Sequence, residues 1–334
     1  MEATTIHRLL GATPGGGYVH NEDNPLIGDM LIIDEVSMVN TWLMYSLLKA
    51  VPGHMRVILI GDVDQLPCIG PGNILSDLIS SNTLPTIRLT KIFRQDENSR
   101  IIRNAHAINR GDFPIFSNTR DSDFFYLKAD TDDDASNIVV DLIKTRLPNA
   151  YGLDPKDIQV LTPMKKYASG TVELNQRIQE AINPVGAEIH QGGRIFRVGD
   201  KVIQTKNNYD KGVFNGDSGI ITEIDTENKT LVVDFGDCNI YYGTVDLDEL
   251  LHAYALTIHK SQGSEYPIVI MPITNSHYHM LSKNLLYTGI TRAKKICILV
   301  GSKDALYWGI KNVKIAERKT MLKDRLREYA LAGM

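Results

Sequence analysis

Apolar positions along the chain fall into short unbroken runs, each ending in a polar cluster, with helically spaced segments between them. The first strong run, Met30-Leu31-Ile32-Ile33, passes straight into Asp34-Glu35. A continuous apolar run of this length predicts a strand buried on both faces, as in a parallel sheet covered by helices. Asn40 to Val51 has Trp42, Leu43, Leu47 and Leu48 at helical spacing, and Pro52-Gly53 stops it. Val57-Ile58-Leu59-Ile60 is a second such strand, and it delivers Gly61-Asp62-Val63-Asp64-Gln65-Leu66-Pro67. Residues 74–81 read as a helix, and Ile87-Arg88-Leu89 as a short strand leading to Phe93-Arg94-Gln95. Strands alternating with helices in this order predict a parallel α/β layer.

The pattern resumes with a helix over Asp96 to Arg110, a strand at Phe124 to Leu127, a helix over Asp134 to Leu147, a strand at Ile158 to Leu161 and a helix over Thr171 to Ile182. Between about Gly192 and Leu250 it changes to short strands with frequent turn residues: Arg194–Arg197, Lys201–Thr205, Gly219–Asp225, Thr230–Asp234 and Asn239–Val245. This spacing predicts a small β-barrel inserted into a second α/β domain. The α/β pattern returns with Ala253 to Glu265, a strand at Ile268–Ile273, a helix at Leu285–Ala293 and a last strand at Ile296–Gly301. Lys314 to Leu331 is a charged amphipathic helix without evident chemistry. Met1 to Gly11 reads as a helical segment with a glycine stop, and 12–29, rich in Gly, Pro, Asn and Asp, as a loop.

Composition narrows the function classes. With 334 residues, 43% hydrophobic and 23% charged, the chain has room for two or three domains. A net charge of −4 carries no global nucleic-acid signature, so any such contact must be local. Cys68, Cys238 and Cys297 lack disulfide or zinc spacing, which fits a reducing cytoplasm. No apolar run reaches the roughly 18 residues of a membrane span. Asp132-Asp133-Asp134 reads as the solvated start of a helix, favoured by its dipole, rather than a metal site. His277 and His279 read as surface residues. In open α/β sheets ligands bind at the C-terminal strand edge. The Asp34-Glu35 pair is therefore a candidate for holding a metal and activating water, the alternative being that Asp34 caps a helix beginning near Ser37.

Four segments in order carry a resemblance: Asp34-Glu35-Val36-Ser37-Met38, Gly61 to Pro67, Thr257-Ile258-His259-Lys260-Ser261-Gln262-Gly263-Ser264-Glu265, and Gly289-Ile290-Thr291-Arg292-Ala293-Lys294-Lys295. Together they resemble the core of RecD/TraA-type superfamily 1 DNA helicases, which move 5′ to 3′ on single-stranded DNA. The resemblance runs over nearly the whole chain, from Glu2 to Lys295. It implies an α/β fold of two RecA-like parallel-sheet domains, the first truncated, with an SH3-like β-barrel inserted in the second. The expected boundaries are 1–95 for the first domain, 96–190 and 251–313 for the second, 191–250 for the barrel and 314–334 for the C-terminal helix. It implies ATP and Mg²⁺ as cofactors and single-stranded DNA and duplex junctions as partners, with recombination or repair subunits beyond them.

Site roles follow from the resemblance. Asp34 is expected to hold Mg²⁺ and Glu35 to orient and deprotonate the attacking water. Gln65 is expected to sense the γ-phosphate, Arg94 and Arg292 to act as arginine fingers, and Gly263 and Glu265 to line the nucleotide side. Thr4, Thr5 and His7 from the first domain are expected to touch single-stranded DNA, with Thr162, Pro163, Lys165, Thr257, His259 and Lys260 from the second. One part of the family pattern has no counterpart. No Gly-Lys-Ser/Thr occurs in the 334 residues, and Pro14-Gly15-Gly16-Gly17 is followed by Tyr18. The family's phosphate loop is expected upstream, which makes the chain a fragment with weak or absent ATPase activity, prone to self-association through its first domain. The alternatives are a non-catalytic single-strand-binding remnant and the helicase part of a conjugative relaxase.

Overall fold

The computed structural model describes residues 3–13, 15–89, 99–119, 121–312 and 318–332. In chain order its elements are α1 (Ile6–Leu9), β1 (Met30–Ile33), α2 (Thr41–Ala50), β2 (Arg56–Leu59), α3 (Ile74–Ser81), α4 (Arg100–Arg110), β3 (Phe124–Lys128), α5 (Asp132–Asp141), α6 (Leu147–Tyr151), β4 (Ile158–Thr162) and α7 (Thr171–Ile182). A π-helical turn, Leu142–Arg146, joins α5 to α6. The strands β5 (Glu188–Gln191), β6 (Arg194–Arg197), β7 (Lys201–Gln204), β8 (Ser218–Asp225), β9 (Thr230–Asp234), β10 (Asn239–Tyr242), β11 (Leu250–His252), β12 (Ala255–Thr257) and β13 (Tyr266–Ile273) come next. The chain ends with α8 (Lys283–Ile290), β14 (Ala293–Gly301), α9 (Lys303–Lys311) and α10 (Leu322–Ala332). Two compact units result, Met1–Phe93 with Val313–Met334, and Arg94–Asn312.

In the first unit β1 and β2 pair in parallel, Ile33 opposite Leu59. Asn40 starts α2 by accepting a hydrogen bond from Leu43 N at 3.0 Å, an ordinary N-cap. Leu47, Met44 and Ala50 of α2 pack with Ile33, Val36, Ile74 and Leu75 in one core. That core lies on one face of the sheet only. Ile32 is 58% exposed and Ile58, directly opposite it, 42%. The expectation that β1 is buried on both faces is therefore corrected, because α2 and α3 cover one side and no described element covers the other. Ile87–Leu89 is not a strand: it is irregular, with Ile87 and Leu89 exposed.

The second unit has a parallel sheet of order β12-β4-β13-β14-β3. Its central strands are buried on both faces, β4 along its whole length. An antiparallel sheet of order β10-β9-β8-β7-β11 and the hairpin β5-β6 make up the interposed small-strand region. Asp200, wholly buried, joins that region to the parallel layer. It accepts from Gln179 and Asn183 of and after α7, from Arg197 N (2.7 Å), from Tyr254 OH (2.9 Å) and from His252 Nε2 (3.2 Å). Among the described residues no helix is long and apolar enough to cross a membrane.

Candidate nucleotide and single-strand site

At the C-terminal end of β1, Asp34 is exposed and its Oδ1 accepts the Glu35 N–H at 2.7 Å. Glu35 takes φ 52°, ψ 41°, the left-handed region. A non-glycine residue there costs on the order of 1 kcal/mol and is held by its surroundings. The surroundings are a 3₁₀ turn, Val36–Met38, whose Val36 N–H donates to Ile60 O at 2.9 Å. Asp34 does not cap that turn, since Glu35 occupies the cap position and makes no side-chain cap bond. Gly61 lets the end of β2 approach closely: a Cβ there would lie 3.1 Å from Val36 N, 3.2 Å from Ser37 N and 2.8 Å from Leu75 Cδ2. The two motif segments are thus packed backbone against backbone. Glu35 Oε2 is buried with no hydrogen-bond partner, and so is Ser37 Oγ two residues on. Buried acceptors left open in this way need water, a metal-bound water or a ligand donor. Sequence reasoning misses Ser37 even though it sits inside the Asp34 to Met38 motif; only its burial reveals it.

Gln65 is buried on the loop after β2, where Asp64 N donates to Asp62 Oδ1 at 2.9 Å. Among the described residues no group of three His, Cys, Asp or Glu side chains could hold a metal. Magnesium typically takes one or two carboxylates, with waters and substrate phosphates completing its shell, and Asp34 at the open strand end fits that mode. Arg94 lies outside the described residues.

In the second unit Arg292 is buried and donates to Ser264 O at 3.1 Å through Nη1 and to Thr288 O at 3.3 Å through Nε. Its backbone carbonyl receives Tyr266 N–H at 2.8 Å. Arg292 therefore anchors the segment that holds Gly263, at φ 77°, and Glu265, which pairs with Lys294 Nζ at 3.3 Å. The sequence placed these residues near one another only through the resemblance; here the Arg292 guanidinium hydrogen-bonds the Gly263–Glu265 segment at Ser264 O.

Also in the second unit, β12 and β4 are parallel neighbours with Thr257 opposite Thr162, so the segments 162–166 and 257–260 leave the same sheet edge. Thr162 and Pro163, both expected at the single strand, have buried side chains. Thr162 is fully buried and its Oγ1 donates to Ser169 O at 2.7 Å, and Pro163 is buried too. They shape the loop that presents the exposed Lys165. Thr257, His259 and Lys260 are half-buried. Burial first, and then the charge of Lys165, holds the Lys260 ammonium below its ordinary value; burial likewise lowers His259. Two ammonium groups that repel one another in a partly dry place are relieved by an anion between them. In the first unit Thr4, Thr5 and His7 are exposed; Thr5 Oγ1 caps α1 through Arg8 N at 3.2 Å.

His277 is corrected as well. It is fully buried, not a surface residue, while His279 is exposed as expected. Its Nδ1 accepts from Thr274 N (3.4 Å), leaving Nε2–H to donate to Ser169 Oγ (3.1 Å). Ser169 belongs to the loop after β4, so this network ties the Lys165 loop to the turn that precedes α8 and Arg292.

Comparison with known proteins agrees with the fold described above. Residues 1–129 match the AAA domain family, 174–235 the SH3 domain of ATP-dependent RecD-like DNA helicases, and 252–300 the UvrD-like helicase C-terminal domain. The ATP-dependent RecD2 DNA helicase of Deinococcus radiodurans is 38% identical over 98% of this chain and 44% of its own length. The RecBCD enzyme subunit RecD of Mycobacterium tuberculosis is 29% identical over 98% of this chain and 58% of its own. The chain thus spans about half the length of these relatives. Among solved structures, a Pif1 helicase from Bacteroides in complex with ADP-AlF3 and ssDNA aligns with TM-score 0.54 at 20% identity, covering 99% of this chain and 84% of that one. Pif1 helicase from Candida albicans aligns with TM-score 0.55 at 19% identity, covering 99% and 85%.

Parallel sheets that bring acids, a glutamine and a buried arginine to their loop edges, with an SH3-like domain among them, define a superfamily 1 helicase-type fold. Within that class the chain belongs with the RecD-like helicases.

Proposed function

We infer that this chain is the core of an ATP-dependent DNA helicase, in which nucleotide hydrolysis drives movement along single-stranded DNA. The observation that carries the reading is the Asp34-Glu35 pair at the end of a parallel strand, with Glu35 Oε2 buried and unpartnered. Mg²⁺-ATP, when bound, supplies the γ-phosphoryl group and the metal charge. Asp34 is assigned to the metal, and Glu35 to orienting a water and accepting its proton, in a reaction dominated by positioning and charge stabilisation. Gln65 is assigned to the γ-phosphate, and Gly263 and Glu265 to the nucleotide side. Arg94 and Arg292 are assigned to the charge that develops on the transferred group, a role for which Arg292 must release Ser264 O. Thr4, Thr5, His7, Lys165, Thr257, His259 and Lys260 are assigned to the single strand, with the lysines on phosphates.

Because no Gly-Lys-Ser/Thr is present in the chain, this polypeptide is assigned weak ATP turnover, which leaves single-strand binding as its main separate activity. Self-association through the open face of β1 and β2 belongs to the same proposal, as do recombination or repair partners of the whole protein. The test is ATP hydrolysis with and without oligothymidylate, alongside anisotropy of a labelled strand. Binding with slow turnover is expected, and Glu35→Gln should lower whatever turnover is present by roughly 10²-fold or more while leaving strand binding unchanged. Turnover that is insensitive to Glu35→Gln, or absence of strand binding, overturns the reading.

A further inference from the structure

The C-terminal segment carries no motif, yet it is engaged with the loop that bears Gln65. Arg318 Nη2 donates to Cys68 O at 2.6 Å, and Nη1 donates to Gly70 O at 2.6 Å and Gly72 O at 2.8 Å, with Cys68 Sγ at 3.3 Å. Three carbonyls of one loop converge on a single guanidinium. The convergence is built into the backbone: Gly70 and Gly72 have φ of +104° and +106°, and a Cβ at Gly72 would collide with Thr41 Oγ1. Carbonyl dipoles gathered this closely need a donor at their focus, and Arg offers a planar fork of five. The same loop turns Leu66 and Cys68 inward and buries Gln65.

Beyond Arg318 the chain forms α10, which packs along α3. None of the described residues of α10 is buried, and Leu322 is its contribution to the core of the first unit. Polar bonds add to the hold of this segment on α3 and its end. Thr320 Oγ1 donates to Asp77, and Arg327 donates to Ser80 O at 2.8 Å and Ser81 O at 3.1 Å. The segment is thus held on α3 through α10, and at one loop through the dense Arg318 contact.

We propose that the segment from Arg318 through α10 is a strap in which Arg318 is a positioning residue for the Gln65 loop, closing the carbonyl cradle of Cys68, Gly70 and Gly72. The functional consequence rests on the reading of Gln65 as the γ-phosphate sensor; the strap itself does not. It also gives the C-terminal end of the chain a direct hold on the nucleotide-sensing loop, through which displacement of the strap would loosen that loop.

Hydrogen exchange of the full chain, without ATP or DNA, tests this. In Arg318→Ala, amides of 62–72 should exchange at least about ten-fold faster, while those of α3 and α10 and the urea midpoint stay as in wild type. Arg318→Lys, which keeps the charge without the fork, should restore part of the protection, and Arg327→Ala should leave 62–72 unchanged. Equal exchange in Arg318→Ala and wild type overturns the proposal, as does an equal loosening of 62–72 by Arg327→Ala. Failure of the nucleotide reading would appear separately, as ATP turnover left unchanged by Gln65→Ala.

Discussion

Two side chains with buried polar atoms contrast at the level of single residues. Glu35 has a left-handed backbone and an unpartnered Oε2; His277 is hydrogen-bonded through both ring nitrogens and neutral. Burial drives the His277 pKa down to about 4. Its folded value lies below its unfolded one, so between about pH 6.5 and pH 4 the unfolded chain binds the extra proton and stability falls as pH falls. The loss is about 1.4 kcal/mol per pH unit in that window. Replacing His277 by Gln should flatten this part of the profile, seen as urea midpoints that separate from wild type at pH 7 and converge toward it near pH 4.5. An identical pH profile in the variant would show that His277 is not the titrating group. Glu35 stood out in the sequence through its place among four ordered motifs, since an acid pair after an apolar run is by itself equally readable as the start of a helix. His277 did not, because burial of a lone histidine depends on which loops close over it, and those loops meet 108 positions apart, at Ser169.

Among the elements, strands and helices with strong periodicity matched their sequence pattern closely: β6 and β9 have the expected ends, and α2 differs from its expectation by a residue at either end. The misses have physical causes. Ile87–Leu89 is apolar enough for a strand but has no described neighbour to pair with, and β1 lacks cover on one face. Ile32→Thr with Ile58→Thr should therefore cost little stability, within roughly 0.5 kcal/mol as for surface sites. It should also lower self-association in sedimentation velocity; unchanged association would show that another surface is responsible. The junction at Asp200 predicts the reverse. Burial raises its carboxyl, but His252 and the other donors outweigh that and hold it below the ordinary carboxylate value, so its stabilisation is present at neutral pH and lost as pH falls below about 4. Asp200→Ala orphans the buried donors and should cost roughly 3–5 kcal/mol, measured by urea unfolding.

For the whole molecule the charge balance decides what kind of strand binding is possible. At a net charge of −4 the surface as a whole repels nucleic acid, so affinity must come from local groups, and the Lys165–Lys260 pair is where burial and like charge coincide. Each phosphate neutralised on a single strand contributes roughly 0.7 to the slope of log affinity against log salt. The double variant Lys165→Ala, Lys260→Ala should therefore reduce that slope by about 1.4 and weaken binding to all sequences alike, since phosphate contacts carry no base information. Anisotropy titrations of oligothymidylate and of a mixed-sequence strand over a range of salt measure both effects. A slope unchanged from wild type would move the phosphate contacts elsewhere. A loss confined to one sequence would mean that these lysines read bases and are not tracking the backbone.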